Sequence, residues 1–126
     1  MAENPFKPMS IEEQKTAGRL YKKTLRLWVK KFGSRKDVVK NSDGSYDVWG
    51  DLEGVPEVGN GKLCVRLNLV IGNFSHHGML KSLDGFPKKI GGNLKFWNHQ
   101  KEFTAKDIQA HGYVRGKLDV QYHPGL

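Results

Sequence analysis

A recurring glycine framed by apolar side chains constrains this chain more than any other feature of it. Four segments share the pattern apolar, any, Gly, polar, then Leu or Phe: Val48-Trp49-Gly50-Asp51-Leu52, Val70-Ile71-Gly72-Asn73-Phe74, Ile90-Gly91-Gly92-Asn93-Leu94 and Val114-Arg115-Gly116-Lys117-Leu118. They start at 48, 70, 90 and 114, so the intervals are 22, 20 and 24 residues. Intervals of this size mark a solenoid, in which each repeat adds one strand and one return segment and buries its apolar face only against its neighbours. In an extended strand the first, third and fifth residues share a face. The apolar pair is therefore expected to point inward, with a glycine between them where another backbone comes close. A second echo supports the period: Leu52-Glu-Gly-Val-Pro56 and Leu83-Asp-Gly-Phe-Pro87 each place a Gly-x-Pro turn after a leucine. The pattern predicts strands over 45–52, 63–76, 90–98 and 113–122, the last closed by Pro124-Gly125. It also predicts a helical turn over 103–110, opened by the capping-box-like Thr104-Ala-Lys-Asp107.

These segments resemble the degenerate leucine-rich-like repeat proteins of tailed bacteriophages. Leu80-Lys-Ser-Leu-Asp-Gly-Phe-Pro-Lys-Lys-Ile-Gly-Gly-Asn-Leu94 matches one complete unit of that family. Its opening segment is similar to Asn41-Ser-Asp-Gly-Ser-Tyr-Asp-Val-Trp-Gly-Asp51, and the approach to its first rung to Lys62-Leu-Cys-Val-Arg-Leu-Asn-Leu-Val-Ile-Gly-Asn-Phe74. Its exit is similar to Lys101-Glu-Phe-Thr-Ala-Lys-Asp-Ile108, followed by a last strand from Tyr113 to Val120. The resemblance spans roughly residues 37–120. The Cys-Ser-Asn-Asn strand end of the family is replaced here by Ser75-His76-His77 and Phe96-Trp97-Asn98-His99. The resemblance implies a fold and a phage origin, with the host cytoplasm or the virion as location. It implies no catalytic residues.

The charge is concentrated outside the repeats. From Lys15 to Lys40 there are ten basic residues (Lys15, Arg19, Lys22, Lys23, Arg26, Lys30, Lys31, Arg35, Lys36 and Lys40) against one acid, Asp37, a local balance of +9. The rest of the chain carries 21 − 10 = 11 basic and 13 − 1 = 12 acidic residues, a balance of −1. A basic arm on a near-neutral body localises attraction to phosphate on one element. That arm reads as an amphipathic helix over 10–33. Ser10-Ile-Glu-Glu13 has the form of a capping box, Glu12 and Glu13 suit the positive end of the helix dipole, Lys30 and Lys31 suit the negative end, and Gly33 offers a stop. Leu20, Tyr21, Leu25, Trp28, Val29 and Phe32 form its apolar stripe. The helix is the expected cover for one end of the stack, and Pro5 and Pro8 suggest an extended lead-in over 1–9.

Signals for chemistry are weak. Gly54-Val-Pro-Glu-Val-Gly59 has phosphate-loop spacing, but Asn60 stands where lysine is required. Ser75 and His76 are strand neighbours and face opposite ways. The acids of Asp43-Gly44, Glu53-Gly54 and Asp84-Gly85 are isolated in turns, and Cys64 sits in an apolar strand. His76 or His77, with His99, His123, Cys64 and Asp119, invites a metal, yet adjacent strand residues diverge and a full tetrahedral set is not spelled out. The histidines read instead as a polar ladder at strand ends, with no cofactor and no metal. One cysteine leaves no internal disulfide framework, no apolar run is long enough to span a bilayer, and no signal-peptide core is expected at the N-terminus. The expectation is thus a single α+β domain of 126 residues, a strand-rich solenoid of about four rungs over 41–123 capped by a basic helix. Its expected role is non-enzymatic attachment of the ten cations to nucleic acid or a nucleic-acid-bearing host complex, without membrane contact, to inhibit a host defence or transcription assembly. The alternatives are a protein–protein module anchored by Trp49, Trp97 and Tyr122, and a virion component.

Overall fold

The computed structural model describes residues 10–124, so the lead-in over 1–9 and the Gly125 end of the last strand lie outside the described residues. The elements in chain order are α1 (Ile11–Gly33), β1 (Val38–Lys40), β2 (Tyr46–Val48), β3 (Leu52–Glu53), β4 (Glu57–Val58), β5 (Lys62–Leu63), β6 (Leu67–Val70), β7 (Phe74–Gly78), β8 (Lys89–Ile90), β9 (Leu94–Asn98), α2 (Ala105–His111), β10 (Tyr113–Val114) and β11 (Leu118–Tyr122). The architecture is α+β: an N-terminal helix and a β-solenoid of about four turns.

Each turn contributes two short strands, not the single strand expected from the sequence. One sheet runs β1-β2-β6-β8-β10 and the other β11-β9-β7-β3. The strands β2 and β3, β6 and β7, β8 and β9, and β10 and β11 are joined by corners at Gly50, Gly72, Gly92 and Gly116. Every predicted strand is therefore split at its repeat glycine. The apolar pair still points inward, because a corner turns the chain while keeping both flanking side chains inside. Val48, Val70, Ile90 and Val114 stack in one column, and Leu52, Phe74, Leu94 and Leu118 in another. Both columns are buried in the first three rungs and become half-exposed at the fourth.

The glycines are needed for space. None of the four corner glycines has positive φ. Gly72 N–H donates to Gly50 C=O at 3.1 Å, Gly92 to Gly72 at 2.9 Å and Gly116 to Gly92 at 2.9 Å. Beside this backbone ladder runs a second one of side chains. Asp51 Oδ1 accepts from Asn73 N–H at 2.7 Å, Asn73 Oδ1 from Asn93 N–H at 2.9 Å and Asn93 Oδ1 from Lys117 N–H at 2.9 Å. A Cβ on Gly92 would lie 2.4 Å from Asn73 Oδ1 and 2.8 Å from the Gly72 carbonyl. The polar residue after each glycine thus occupies the room that the next rung's glycine leaves empty.

The first rung receives the same treatment from outside the repeat. A Cβ on Gly50 would lie 2.4 Å from Asp37 Oδ2. Arg35 donates to both Asp37 oxygens, at 2.9 and 2.7 Å, and to Asp51 C=O at 2.9 Å. This guanidinium holds the Asp37 carboxyl below the usual carboxylate range. Strand β1 pairs antiparallel with β2, so β1 as well as α1 covers this end.

The returns are pinned individually. Gly54 and Gly85 both have positive φ, at 71° and 86°, which makes the two Gly-x-Pro turns the structural equivalents that their sequences suggest. The first return carries the β4–β5 hairpin, absent from the sequence expectation. The second is tied down by the buried Asn98, whose Oδ1 accepts from Leu80 N–H at 2.7 Å and whose Nδ2 donates to Leu80 and Lys101 carbonyls, each at 2.8 Å. The third contains α2, with a complete capping box between Thr104 and Asp107. Phe74, Phe86, Phe96 and Phe103 fill the interior between sheets and returns, with successive ring centroids 5.1, 5.1 and 5.8 Å apart.

Helix α1 departs from expectation in two respects. Its C-cap is Ser34, and Gly33 has no left-handed conformation, so that glycine is not the stop. Of the apolar stripe only Phe32 is buried; Leu25, Trp28 and Val29 are half-buried, while Leu20 and Tyr21 are 60% and 44% exposed. The ring of Trp28 stacks on Phe32 at 4.9 Å, and Phe32 meets Tyr46 edge-on at 5.2 Å. The helix is docked by its last two turns. Its first half extends over solvent, tethered where the Tyr21 hydroxyl donates to the Glu57 carbonyl.

Two outcomes follow. Gly92→Ala should cost about 1–3 kcal/mol in chemical unfolding, because the new methyl meets backbone on the neighbouring rung. Gly18→Ala has open space around its Cβ, and should instead raise helical ellipticity, gaining up to about 1 kcal/mol in local helix stability.

Candidate functional site

The ten cations of the basic segment are placed on α1, on the turn after it and on β1. Nine are exposed: Lys15, Arg19, Lys22, Lys23, Arg26, Lys30, Lys31, Lys36 and Lys40. Among the described residues none of these nine forms a salt bridge, whereas Arg35 pairs with Asp37 at 2.7 Å. Arg35 therefore differs from the rest of the set. Its guanidinium is consumed in seating Asp37 against the first glycine corner, and what remains for a partner is nine unpaired cations. Lys31 has a second neighbourhood, since with Trp28, Phe32, Arg35, Leu52 and Glu53 it lines a groove of about 220 Å³ where α1 meets β3.

The three aromatic residues singled out as anchors do not converge. Trp49 is 56% exposed at the first corner, beside Ile71 at 44% in the next. Trp97 is half-buried on the outer face of β9, two rungs away. Its Nε1 donates to Asp119 at 3.3 Å, and Lys95 Nζ lies 4.6 Å from the ring centroid. Tyr122 aligns with Asn98, the residue after Trp97, so it belongs to the opposite face of the same sheet.

The histidines sort as strand alternation requires. His77 and His99 lie on adjacent rungs with Nε2 atoms 2.7 Å apart, so one ring donates to the other. His123 continues the row, its ring 5.6 Å from that of His99. His76 points inward and takes no part. Among the described residues no group of three His, Cys, Asp or Glu side chains could hold a metal ion. Burial pushes the Cys64 thiol up to about 11, so it stays protonated near neutral pH. No helix of the described residues is long and apolar enough to cross a membrane.

A polar constellation that the sequence did not suggest lies beside the middle of α1, at Tyr21. His76 is buried, and its Nε2 lies 2.6 Å from Glu57 Oε2. The same carboxylate accepts from Met79 N–H, at 3.1 Å to Oε1 and 3.0 Å to Oε2, while the Glu57 carbonyl holds Tyr21. A Cβ on Gly78 would lie 2.0 Å from Glu57 Oε2, so that glycine makes the cradle. Desolvation lowers the His76 pKa despite the opposing pull of Glu57. Burial thus favours the neutral imidazole, which can donate from Nε2 to the Glu57 carboxylate. Its Nδ1 is left as a buried atom without a partner, and in the imidazolium that atom would become an unsatisfied donor. One glutamate thus connects hairpin, sheet and helix. Nothing in Gly54-Val-Pro-Glu-Val-Gly59 distinguishes Glu57 from an ordinary turn acid; the only sequence cue is that alternation turns His76 inward, where an imidazole needs a partner.

The sign of the resulting pH dependence is fixed. His76 takes up a proton less readily folded than unfolded, so its contribution to stability is present above the ordinary histidine value near 6.5 and is lost as pH falls below it. Thermal unfolding should show a decline from pH 7 to about pH 5 that His76→Gln, which still donates to Glu57 but does not titrate, makes shallower. Comparison of the chain with family models, curated proteins and solved structures finds no match.

Proposed function

We propose that this chain is a small non-enzymatic binding protein of phage type, a short and divergent relative of the degenerate leucine-rich-like repeat proteins. Its basic helix attaches it to nucleic acid or to a nucleic-acid-bearing complex of the host, whose defence or transcription machinery is the natural target. The observation that carries this reading is the arrangement of exposed, unpaired cations along α1. Lys15, Arg19, Lys22, Arg26 and Lys30 follow one another at spacings of four, three, four and four residues, which lays them along a single line of the helix. At a rise of 1.5 Å per residue that line is about 22 Å long, comparable to several successive phosphates of a duplex. Lys23 and Lys31 flank it, and Lys36 and Lys40 extend the positive region onto the body.

The physical argument is one of availability. Docking consumes the opposite side of the helix, through Trp28 and Phe32, and the acids of α1 are confined to its first turn at Glu12 and Glu13. Charges left unpaired on a projecting rod remain accessible to phosphate along most of their length, and counterion release supplies the affinity. A line of cations engages phosphate rather than base edges, so the binding is general for polyanionic backbone.

The test is fluorescence anisotropy with labelled single- and double-stranded oligonucleotides. With five or six phosphates engaged, affinity should fall about a thousandfold between about 50 and 200 mM salt. Replacing Lys22, Arg26 and Lys30 together with Gln should lower the salt slope by about three while circular dichroism stays unchanged. Affinity that is flat in salt, for a folded sample, would exclude this function.

A further inference from the structure

We infer that α1 carries a second, self-complementary surface through which two copies of the chain pair their helices antiparallel. The docked side of the helix is occupied by Tyr21, Trp28, Val29 and Phe32. About a quarter-turn away, Ala17, Leu20, Thr24 and Leu27 recur at spacings of three, four and three residues, the spacing of the apolar seam in a helix pair. Glu13 and Lys31 continue the same row by four residues at either end. All six positions are exposed, with Leu20 at 60% and Leu27 at 59%. The Thr24 hydroxyl donates to its own helix, to Leu20 C=O at 2.9 Å, which leaves its methyl for the seam. Two large apolar side chains thus project in line from the undocked side of the helix, and among the described residues both stay exposed.

The occupant follows from the arithmetic of the row. In an antiparallel pair centred on residue 22, facing positions sum to 44. Leu27 of one copy then meets Ala17 of the other (27 + 17), Leu20 meets Thr24 (20 + 24), and Lys31 meets Glu13 (31 + 13). Large faces small and acid faces base, and two-fold symmetry supplies every contact twice. The parallel alternative sets Glu13 on Glu13 and Lys31 on Lys31, so like charges disfavour it. Against pairing stands the charge of α1 itself, above all Lys23, which flanks the seam and meets its own copy near the two-fold axis. Salt screens that repulsion. Self-association should therefore strengthen with salt, opposite to the response of nucleic-acid binding, and it does not depend on the function proposed above.

Sedimentation equilibrium of the full chain tests this. A monomer–dimer equilibrium is expected in the range of tens to hundreds of micromolar, tighter at about 500 mM than at about 50 mM salt. Leu20→Lys with Leu27→Lys should leave a folded monomer throughout. Glu13→Lys alone and Lys31→Glu alone should each weaken association about tenfold, since two exposed ion pairs become two like-charge contacts. An equimolar mixture of those two variants should regain it, because each then supplies the charge the other lacks. A wild-type chain that stays monomeric at the highest concentration and salt would overturn the inference. So would a dimer that survives the double leucine substitution, or a mixture no tighter than its components.

Discussion

The fold depends on a contact that a methyl group would prevent. At each corner after the first a glycine backbone donates to the glycine backbone of the preceding rung, and the amide or carboxylate of the residue after that preceding glycine sits where the new rung's Cβ would be. Two ladders run side by side through the same narrow space, and together they set the register of everything attached. Because Gly72 lies over Gly50 and Gly92 over Gly72, the inward residues on either side must also stack like on like, which yields the columns of Val and Ile and of Leu and Phe. A solenoid gains stability by repeating one nearest-neighbour interface, and here that interface is a polar ladder flanked by two apolar ones. The ladder also explains Asp37, the single acid in the basic segment. Its carboxylate fills the space beside Gly50 that Asp51 and Asn73 fill beside the next two glycines, and Arg35 holds it there.

How much of this was legible in the residues depends on whether a feature is local. The corner glycines were legible because exclusion of a side chain leaves a mark that no other residue type can imitate. The inward pairs were legible for the same reason that they misled. Residues one and five fall on one face of a straight strand, and they also fall inside a corner, so the spacing alone does not separate a continuous strand from two strands meeting at an angle. The hairpin of β4 and β5 was hidden by Gly54, Pro56 and Gly59, which announce turns and say nothing of the pairing of Glu57 with Leu63 and Val58 with Lys62. Alternation sent His76 inward and His77 outward. That Glu57, nineteen positions earlier, receives His76 is a tertiary fact with no periodic signature. For α1 the apolar stripe was read from spacing, yet a helix longer than the surface it meets docks only where it reaches. Leu20 stays exposed although it carries the same sequence signal as Phe32.

That incomplete docking gives the helix its character. Burial centres on Phe32 and its half-buried neighbours Leu25, Trp28 and Val29, and further toward the N-terminus the Tyr21 hydroxyl donates to the Glu57 carbonyl. Charge on a rod of this kind is nearly free of the low-dielectric body, so it is felt at its full solvent-exposed value and is screened over about 10 Å at ordinary ionic strength. The proposed duties of α1 divide by azimuth: aromatic side chains for docking, a line of cations for phosphate, and a short apolar row for a second copy. Salt drives the last two in opposite directions, and a bound polyanion neutralises the charge that holds two helices apart. Occupation of the cationic line would therefore favour pairing along the apolar row.

The two ends of the stack are finished by different means. At the first rung a strand, a helix and an Arg–Asp pair cover what the repeat leaves open. At the fourth the inward residues Val114, Leu118 and Val120 are only half-buried, and the ladder position that held Asp51, Asn73 and Asn93 holds Lys117. The substitution is chemically decisive. Asp and Asn offer a side-chain oxygen to the next rung's N–H, whereas an ammonium has donors alone. Lys117 accepts nothing from above while its own N–H still completes the ladder below, through Asn93. A strand laid against this corner would bring the N–H of its own ladder residue to a side chain that has no acceptor for it. Lysine on an exposed edge strand is also a general means of discouraging strand addition. The fourth rung, whose inward residues are only half-buried among the described residues, thus differs from the others in offering no side-chain acceptor at its ladder position.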